Sequence, residues 1–318
     1  MKTNNKKKKQ ILSLAMLASI GTSFGIISPD SVSAAQTSPI QNTTQEQRNV
    51  SISDWREPLQ NTYKAMRLRD PARYLSENAT FNLSKVYQSS VEADGSPTIT
   101  SSNSLFAGRT ILNNTTDQDQ TLTTNEFSKT FENSVTSSTT NGFNLGVSAS
   151  STFKIPLIGE TSVEISTEYN FSNTSEKTKT ESYTYTASSQ NIVVPANSSV
   201  EVIVNLNTAK LSGNVKLLSH VDGKISYNSH NWNQTASTSF RGMLTTLARP
   251  YEIANNVKVH PSNGAYLIGK GKYSAEYGTE FVVTVRPVVK PNKSSAKLSE
   301  STNEGYTYTV KPEVKKVN

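Results

Sequence analysis

The residues whose types could do covalent or metal chemistry are few and do not converge. Histidine occurs at His220, His230 and His260 alone, with no HExxH or other close pairing that would aim two imidazoles at one zinc ion. Gly269-Lys270-Gly271-Lys272 is rich in glycine and lysine but lacks the spacing and the Ser/Thr of a phosphate-binding loop. Ser294-x-x-Lys297 has the form of an acyl-enzyme nucleophile, and neither SDN nor KTG accompanies it. Cysteine is absent, which removes thiolate metal sites, iron–sulfur clusters and disulfide frameworks. The chain therefore reads as a non-enzyme that needs no cofactor and no metal. His220 and His230 read as strand-end hydrogen-bonding groups and Trp232 as core packing.

A different chemistry, partition between water and lipid, is legible in residues 143–171. Phe143, Leu145, Val147, Ala149, Ser151 and Phe153 share one parity, while Asn144, Gly146, Ser148, Ser150 and Thr152 take the other. Downstream, Thr161, Val163, Ile165, Thr167, Tyr169 and Phe171 repeat the apolar parity, with Glu160, Ser162, Glu164, Ser166, Glu168 and Asn170 opposite. Each arm is 11 positions long, and a transmembrane β-strand needs roughly 9–11. The connector Lys154-Ile155-Pro156-Leu157-Ile158-Gly159 supplies turn residues and an apolar tip, suited to the leading edge of a hairpin entering lipid. An amphipathic hairpin lying on a soluble β-protein alternates in the same way, so pattern alone leaves both readings open. A lone hairpin has two open edges, and each unsatisfied backbone group in hydrocarbon costs several kcal/mol. Spanning therefore requires several copies to close one barrel. Phe143, Leu145, Val147, Ala149, Phe153, Val163, Ile165, Tyr169 and Phe171 would then face lipid, and Ser148, Ser150, Glu160, Glu164 and Glu168 would face water. Those glutamates predict a modest cation preference.

The elements that must position this hairpin are mostly strands. The chain has 318 residues with 34 % apolar, below the roughly 45–50 % of ordinary soluble domains, which argues against one large round core, and about two domains fit the length. Its net charge of +7 sits at the ends: residues 1–34 carry +4, residues 286–318 another +4, and the body from 35 to 285 is −1. A body without net positive charge lacks the basic face of a nucleic-acid binder. Residues 1–34 combine a lysine run, an apolar stretch and small residues, the pattern of a secretory signal peptide cleaved after Ala34. A flexible leader over 35–50 precedes a helix-containing segment, 51–113, in which Leu59, Tyr63, Met66 and Leu68 approach helical spacing. Trp55, Tyr63, Tyr74 and Tyr87 are either core aromatics or a receptor-binding surface. Residues 114–190 are Ser/Thr-rich strands that carry the hairpin. Residues 191–287 hold runs such as SVEVIVNL, GNVKLLSHV, GKISYN and SAEYGTEFVVTVRPVV, β-branched and bounded by Gly, Asn or Pro, as in a β-sandwich.

Four stretches, FKIPLIGETSVEISTEYNFSNT, SSQNIVVPANSSVEVIVNL, GNVKLLSHVDG and GKGKYSAEYGTEFVVTVR, resemble the aerolysin-like β-pore-forming toxins, and within them the epsilon-toxin/mosquitocidal-toxin (ETX/MTX2) group, in the family's order over roughly residues 115–287. The resemblance implies a mainly β, elongated fold with long twisted antiparallel strands, a β-sandwich end and a small helix-containing N-terminal head. It also implies a secreted protoxin that binds a protein or glycan receptor on a target-cell membrane, is cut by a host or gut protease, forms a ring-shaped homo-oligomer and inserts a β-barrel. By position, residues 143–171 are similar to the family's membrane hairpin, with Pro156 near its tip, and relatives suggest an insecticidal role. The basic tail, 288–318, offers Lys293 and Lys297 as cleavage sites, Lys290 being protected by Pro291; by similarity it is a propeptide. The other reading is a non-lytic secreted adhesin or lectin-like binding module whose hairpin stays docked.

Overall fold

The computed structural model describes residues 50–158, 163–229, 234–288 and 305–317. Ala34, Gly159, Glu160, His230, Trp232, Lys293 and Lys297 lie outside the described residues. In chain order the elements are β1 (Ser51–Asp54), α1 (Glu57–Arg69), β2 (Thr80–Val86), β3 (Ser90–Ala93), β4 (Thr98–Asn113), β5 (Gln120–Thr123), β6 (Phe127–Asn144), β7 (Ser150–Lys154), β8 (Ser166–Asn170) and β9 (Lys177–Ala187). There follow β10 (Asn191–Val194), β11 (Ser199–Ser229), β12 (Gln234–Ser239), β13 (Val257–Val259), β14 (Ala265–Pro287), β15 (Tyr306–Val310) and β16 (Glu313–Lys316). The fold is mainly β, as the sequence predicts.

Two strands run through the sheet: β11 with 31 residues and β14 with 23. They pair antiparallel from Val200↔Pro287 to Val221↔Ala265, with one register shift between Leu206 and Thr208. Runs that read as separate strands in the sequence are parts of these two. The glycines between them mark close approach rather than turns: a Cβ at Gly213 would meet the hydroxyl end of the Tyr273 side chain at 2.4–2.9 Å. The sheet order is β12-β11-β14-β6-β9-β16, and β2, β3 and β4 also pair with β11. β4 lies alongside β11 from Ser199↔Asn113 to Ser212↔Thr98, so strands of the segment 51–113 are built into the sheet.

Alternation along β11 and β14 feeds two cores. One gathers Val200, Val202, Val204 and Leu206 with Phe281, Val283, Val285, Phe127 and Tyr185. The other holds the buried face of α1, the N-terminal aromatics Trp55, Tyr63 and Tyr74, and the hairpin. In α1, Leu59, Tyr63 and Met66 are buried at spacings of four and three. Pro58 suits the first turn, and Glu57 at the start with Arg67 and Arg69 at the end complement the helix dipole. Leu68, expected on the same face, is 82 % exposed, because nine residues beyond Leu59 is half a turn away around the helix.

Two readings of the sequence are corrected here. Trp55, Tyr63 and Tyr74 are core residues, at 5 %, 0 % and 0 % exposure, and do not form a receptor-binding surface in this conformation. Their rings pack together, Tyr63 edge-on to Tyr74 at 6.0 Å and Trp55 at 6.0 Å from Phe240, where large rings bury the most apolar area. Tyr87 is half-buried and stacks on His220 at 4.1 Å. The C-terminal segment is also not a free basic tail throughout: β15 pairs with β14 from Phe281↔Val310 to Val285↔Tyr306, and β16 pairs with β9 from Glu313↔Thr186 to Lys316↔Tyr183. Tyr306, Tyr308 and Val310 alternate with Thr307 and Thr309, a strand period masked in the sequence by the charge around it.

Candidate membrane-insertion hairpin

β6 and β9 pair antiparallel from Phe127↔Ala187 to Ser137↔Lys177 and form the stem from which residues 143–171 extend. Beyond the stem the two arms do not continue as one ladder. β7 and β8 make a separate two-stranded ribbon, from Ser150↔Asn170 to Lys154↔Ser166, joined to the stem through residues 145–149, which are not strand.

The parity read from the sequence is the parity of burial. Phe143, Leu145, Ala149, Phe153, Ile155, Ile165, Tyr169 and Phe171 are all buried at 8 % exposure or less and belong to one core cluster. Ser148, Ser150, Thr152, Glu164 and Glu168 are exposed. The hairpin thus lies with its apolar face on the body and its polar face in water. Val147 departs from this pattern at 52 % exposure. Gly146 sits at φ +73°, a conformation glycine adopts freely, and its N–H donates to Asn144 Oδ1 at 3.0 Å; the chain turns there and swings Val147 outward. Val163 is half-buried.

Polar bonds fix the docked position. Tyr169 donates its hydroxyl proton to the Lys272 carbonyl at 2.9 Å, and Thr139 donates to the Asn170 carbonyl at 2.8 Å. Ser137 Oγ and Thr167 Oγ1 share a buried hydrogen bond of 2.7 Å. At the tip, the Ile158 N–H donates to Tyr277 Oη at 2.8 Å, and the Tyr277 hydroxyl donates to the Ile158 carbonyl at 2.7 Å. Leu157 and Ile158 are half-buried, Pro156 is exposed, and Lys154 pairs with Glu164. The Phe153 ring lies 5.5 Å from that of Tyr273 on β14.

The far edge of the stem is closed by β16. Beside that pairing, Glu181 on β9 accepts from Lys316 at 2.8 Å, from Lys179 at 3.0 Å and from the Tyr183 hydroxyl at 2.8 Å. These donors, Lys316 first, hold the Glu181 carboxyl down at about 2. Burial, followed by the neighbouring Glu181, pushes the Tyr183 phenol up to about 12. Sequence reading missed this arrangement, because its C-terminal member, Lys316, lies 135 positions from Glu181.

Among the described residues, no group of three or more His, Cys, Asp and Glu side chains is placed to hold a metal ion. Nor is any helix among them long and apolar enough to cross a membrane. His220 and His260 stack at 3.6 Å, and His220 Nε2 lies 3.0 Å from the Asn263 carbonyl at the turn between β13 and β14.

The family model for Clostridium epsilon toxin ETX/Bacillus mosquitocidal toxin MTX2 matches residues 77–297. No curated protein matches the chain in sequence. Among solved structures, the Mpp75Aa1.1 beta-pore-forming protein from Brevibacillus laterosporus is 26 % identical, with a TM-score of 0.67 over 84 % of this chain and 98 % of its own. A non-toxic crystal protein from Bacillus thuringiensis is 17 % identical, with a TM-score of 0.49 over 76 % of this chain and 99 % of its own. With the family model spanning more than half of the sequence, the chain belongs to the ETX/MTX2 family and has the family and fold of an aerolysin-like pore-forming toxin.

Proposed function

We propose that the chain is a secreted protoxin that binds a target-cell surface, is activated by proteolysis, oligomerises and inserts a transmembrane β-barrel, with insects as its target. The observation that carries this reading is the hairpin itself: eight large or apolar side chains of one parity are buried against the body while the opposite parity is solvated. Moving such a face from protein core to lipid leaves the hydrophobic term nearly unchanged, since acyl chains are as apolar as the core. What changes is the edge pairing. Each stem would gain the neighbouring copy's strand where β16 now pairs with β9, and closure of the ring would satisfy every backbone group. Cleavage at Lys293 or Lys297 would free β15 and β16 from the body's chain, after which their short ladders can dissociate. Glu164 and Glu168, exposed on the polar face, would line the lumen with Glu160 and favour cations.

The test is dye release from lipid vesicles and from a panel of cultured insect and mammalian cells, with and without limited trypsin, alongside a gel for SDS-resistant oligomers. Protease-dependent release with oligomers is the expected result, strongest on insect cells. Binding to cells with neither release nor oligomers on any membrane would replace this reading with the non-lytic binding module.

A further inference from the structure

The stem and the docked ribbon are in different registers, and the difference is six residues. Throughout β6–β9, the numbers of paired residues add to 314; throughout β7–β8 they add to 320. Phe171 is the junction. Its carbonyl accepts from the Phe143 N–H at 3.0 Å, which continues the stem register, and its N–H donates to the Ala149 carbonyl at 2.9 Å, which belongs to the ribbon register. The six-residue offset is the step from Phe143 to Ala149, and the non-strand residues 145–149, with the bend around Gly146, fall within it.

We infer that the hairpin is stored out of register in the docked form, and that insertion shifts β8 by six residues along the first arm so that the stem register runs to the tip. This rests on the pore reading above. The stem register is the one retained, because it is held by 11 residue pairs against five in the ribbon. It also brings the 11-residue arms 143–153 and 161–171 opposite each other end to end and leaves Pro156-Leu157-Ile158 as the turn, whereas the ribbon register sets Phe153 opposite Thr167 and offsets the two arms by six residues.

Because six is even, every side chain keeps its face through the shift; an odd slip would send the whole apolar set into the lumen. The exposed Val147 is explained at the same time. It has the apolar parity yet sits in the looped-out segment, and it joins the lipid face only when residues 145–149 become strand.

The absence of native cysteine permits a direct test by paired cysteines at positions on the polar face. Thr152 and Glu168 are partners in the ribbon register, while Ser148 and Ser166 become partners only in the stem register. Both pairs occupy non-hydrogen-bonded sites, where Cα atoms of antiparallel partners lie about 4.5 Å apart, within disulfide range. T152C/E168C should cross-link in the soluble protein and lose permeabilisation when oxidised, with recovery on reduction. S148C/S166C should cross-link in pores and not in the soluble form. Assays use a membrane that the cysteine-free parent permeabilises after trypsin. A T152C/E168C protein that leaks fully while oxidised, or pores in which only that pair cross-links, would overturn the register shift and leave the pore reading intact. A parent that permeabilises no membrane would overturn both.

Discussion

Tyr277 and Ile158 are hydrogen-bonded in both directions: the buried phenol accepts the Ile158 N–H at 2.8 Å and donates to the Ile158 carbonyl at 2.7 Å. One side chain of β14 thereby occupies both backbone groups of a residue at the hairpin tip. Burial pushes the Tyr277 phenol up from its ordinary value, so the proton it donates is retained across the physiological range. Tyr277→Phe keeps the ring and removes both bonds, each worth about 1 kcal/mol net. The expected outcome is insertion faster by roughly 5- to 30-fold, read as the rate of dye release by trypsin-treated protein. An unchanged or slower rate would show that the tip is not restrained there.

Val147→Asp separates the membrane step from folding more cleanly than any core change, because Val147 is 52 % exposed in the docked form. The variant should fold and bind cells like the parent and fail to permeabilise, since a charge on the lipid face at mid-bilayer is destabilising in every copy, by about 2–4 kcal/mol for Lys or Arg and less for Asp. Val163→Asp, at a half-buried position, should fail as well, with some loss of thermal stability. Normal leakage by both variants would refute the assigned parity.

Acid should loosen the C-terminal strand. The Glu181 carboxyl, held at about 2 by Lys316, Lys179 and Tyr183, lies below its unfolded value near 4.5. Its stabilising contribution is therefore complete above about pH 4.5 and is lost as pH falls from there towards 2. After cleavage between β14 and β15, retention of the C-terminal fragment on size exclusion should fall across that window. In Glu181→Gln the fragment should be held less tightly at neutral pH, and the pH dependence should flatten. Retention that rises on acidification would contradict this assignment.

A second acid-sensitive point lies at the turn between β13 and β14. His260 Nδ1 accepts the Ser262 N–H at 3.1 Å and the Asn263 N–H at 3.4 Å, so the ring acts there as the neutral base. Burial, then His220 and Arg241, lower its pKa from 6.5. Stability from this group is present above pH 6.5 and declines as pH falls through 6.5 to the lower folded value. Amide exchange, corrected for its intrinsic pH dependence, should show Ser262 and Asn263 losing protection in that interval before the β11–β14 ladder does. Constant protection would mean that the turn does not depend on the neutral imidazole.

How much was legible in the sequence follows from the range of each interaction. The hairpin faces were readable because alternation is local: Phe143, Leu145, Ala149, Phe153, Ile155, Ile165, Tyr169 and Phe171 obey it in the docked structure, and Val147 does not. The break at 145–149 was not readable, since alternation runs straight through it and only the pairing partners reveal the shift. Glycine was read as a strand boundary along β11, although at Gly213 it makes room for Tyr273. Lys316 and Glu181 are 135 positions apart, and no local signal joins them. The aromatics of the N-terminal segment fit both core and surface until burial placed Trp55, Tyr63 and Tyr74 inside.

The central claim is that residues 143–171 become the wall of a barrel with one parity in lipid. Single cysteines introduced one at a time from Asn144 to Thr152, labelled with a polarity-sensitive fluorophore and assembled into pores, test it most directly. The account predicts period-two emission: odd positions, including Val147, report hydrocarbon and respond to lipid-bound quenchers, while even positions report water and respond to iodide. Uniformly aqueous labels in membrane-bound oligomers, or the opposite phase, would contradict it.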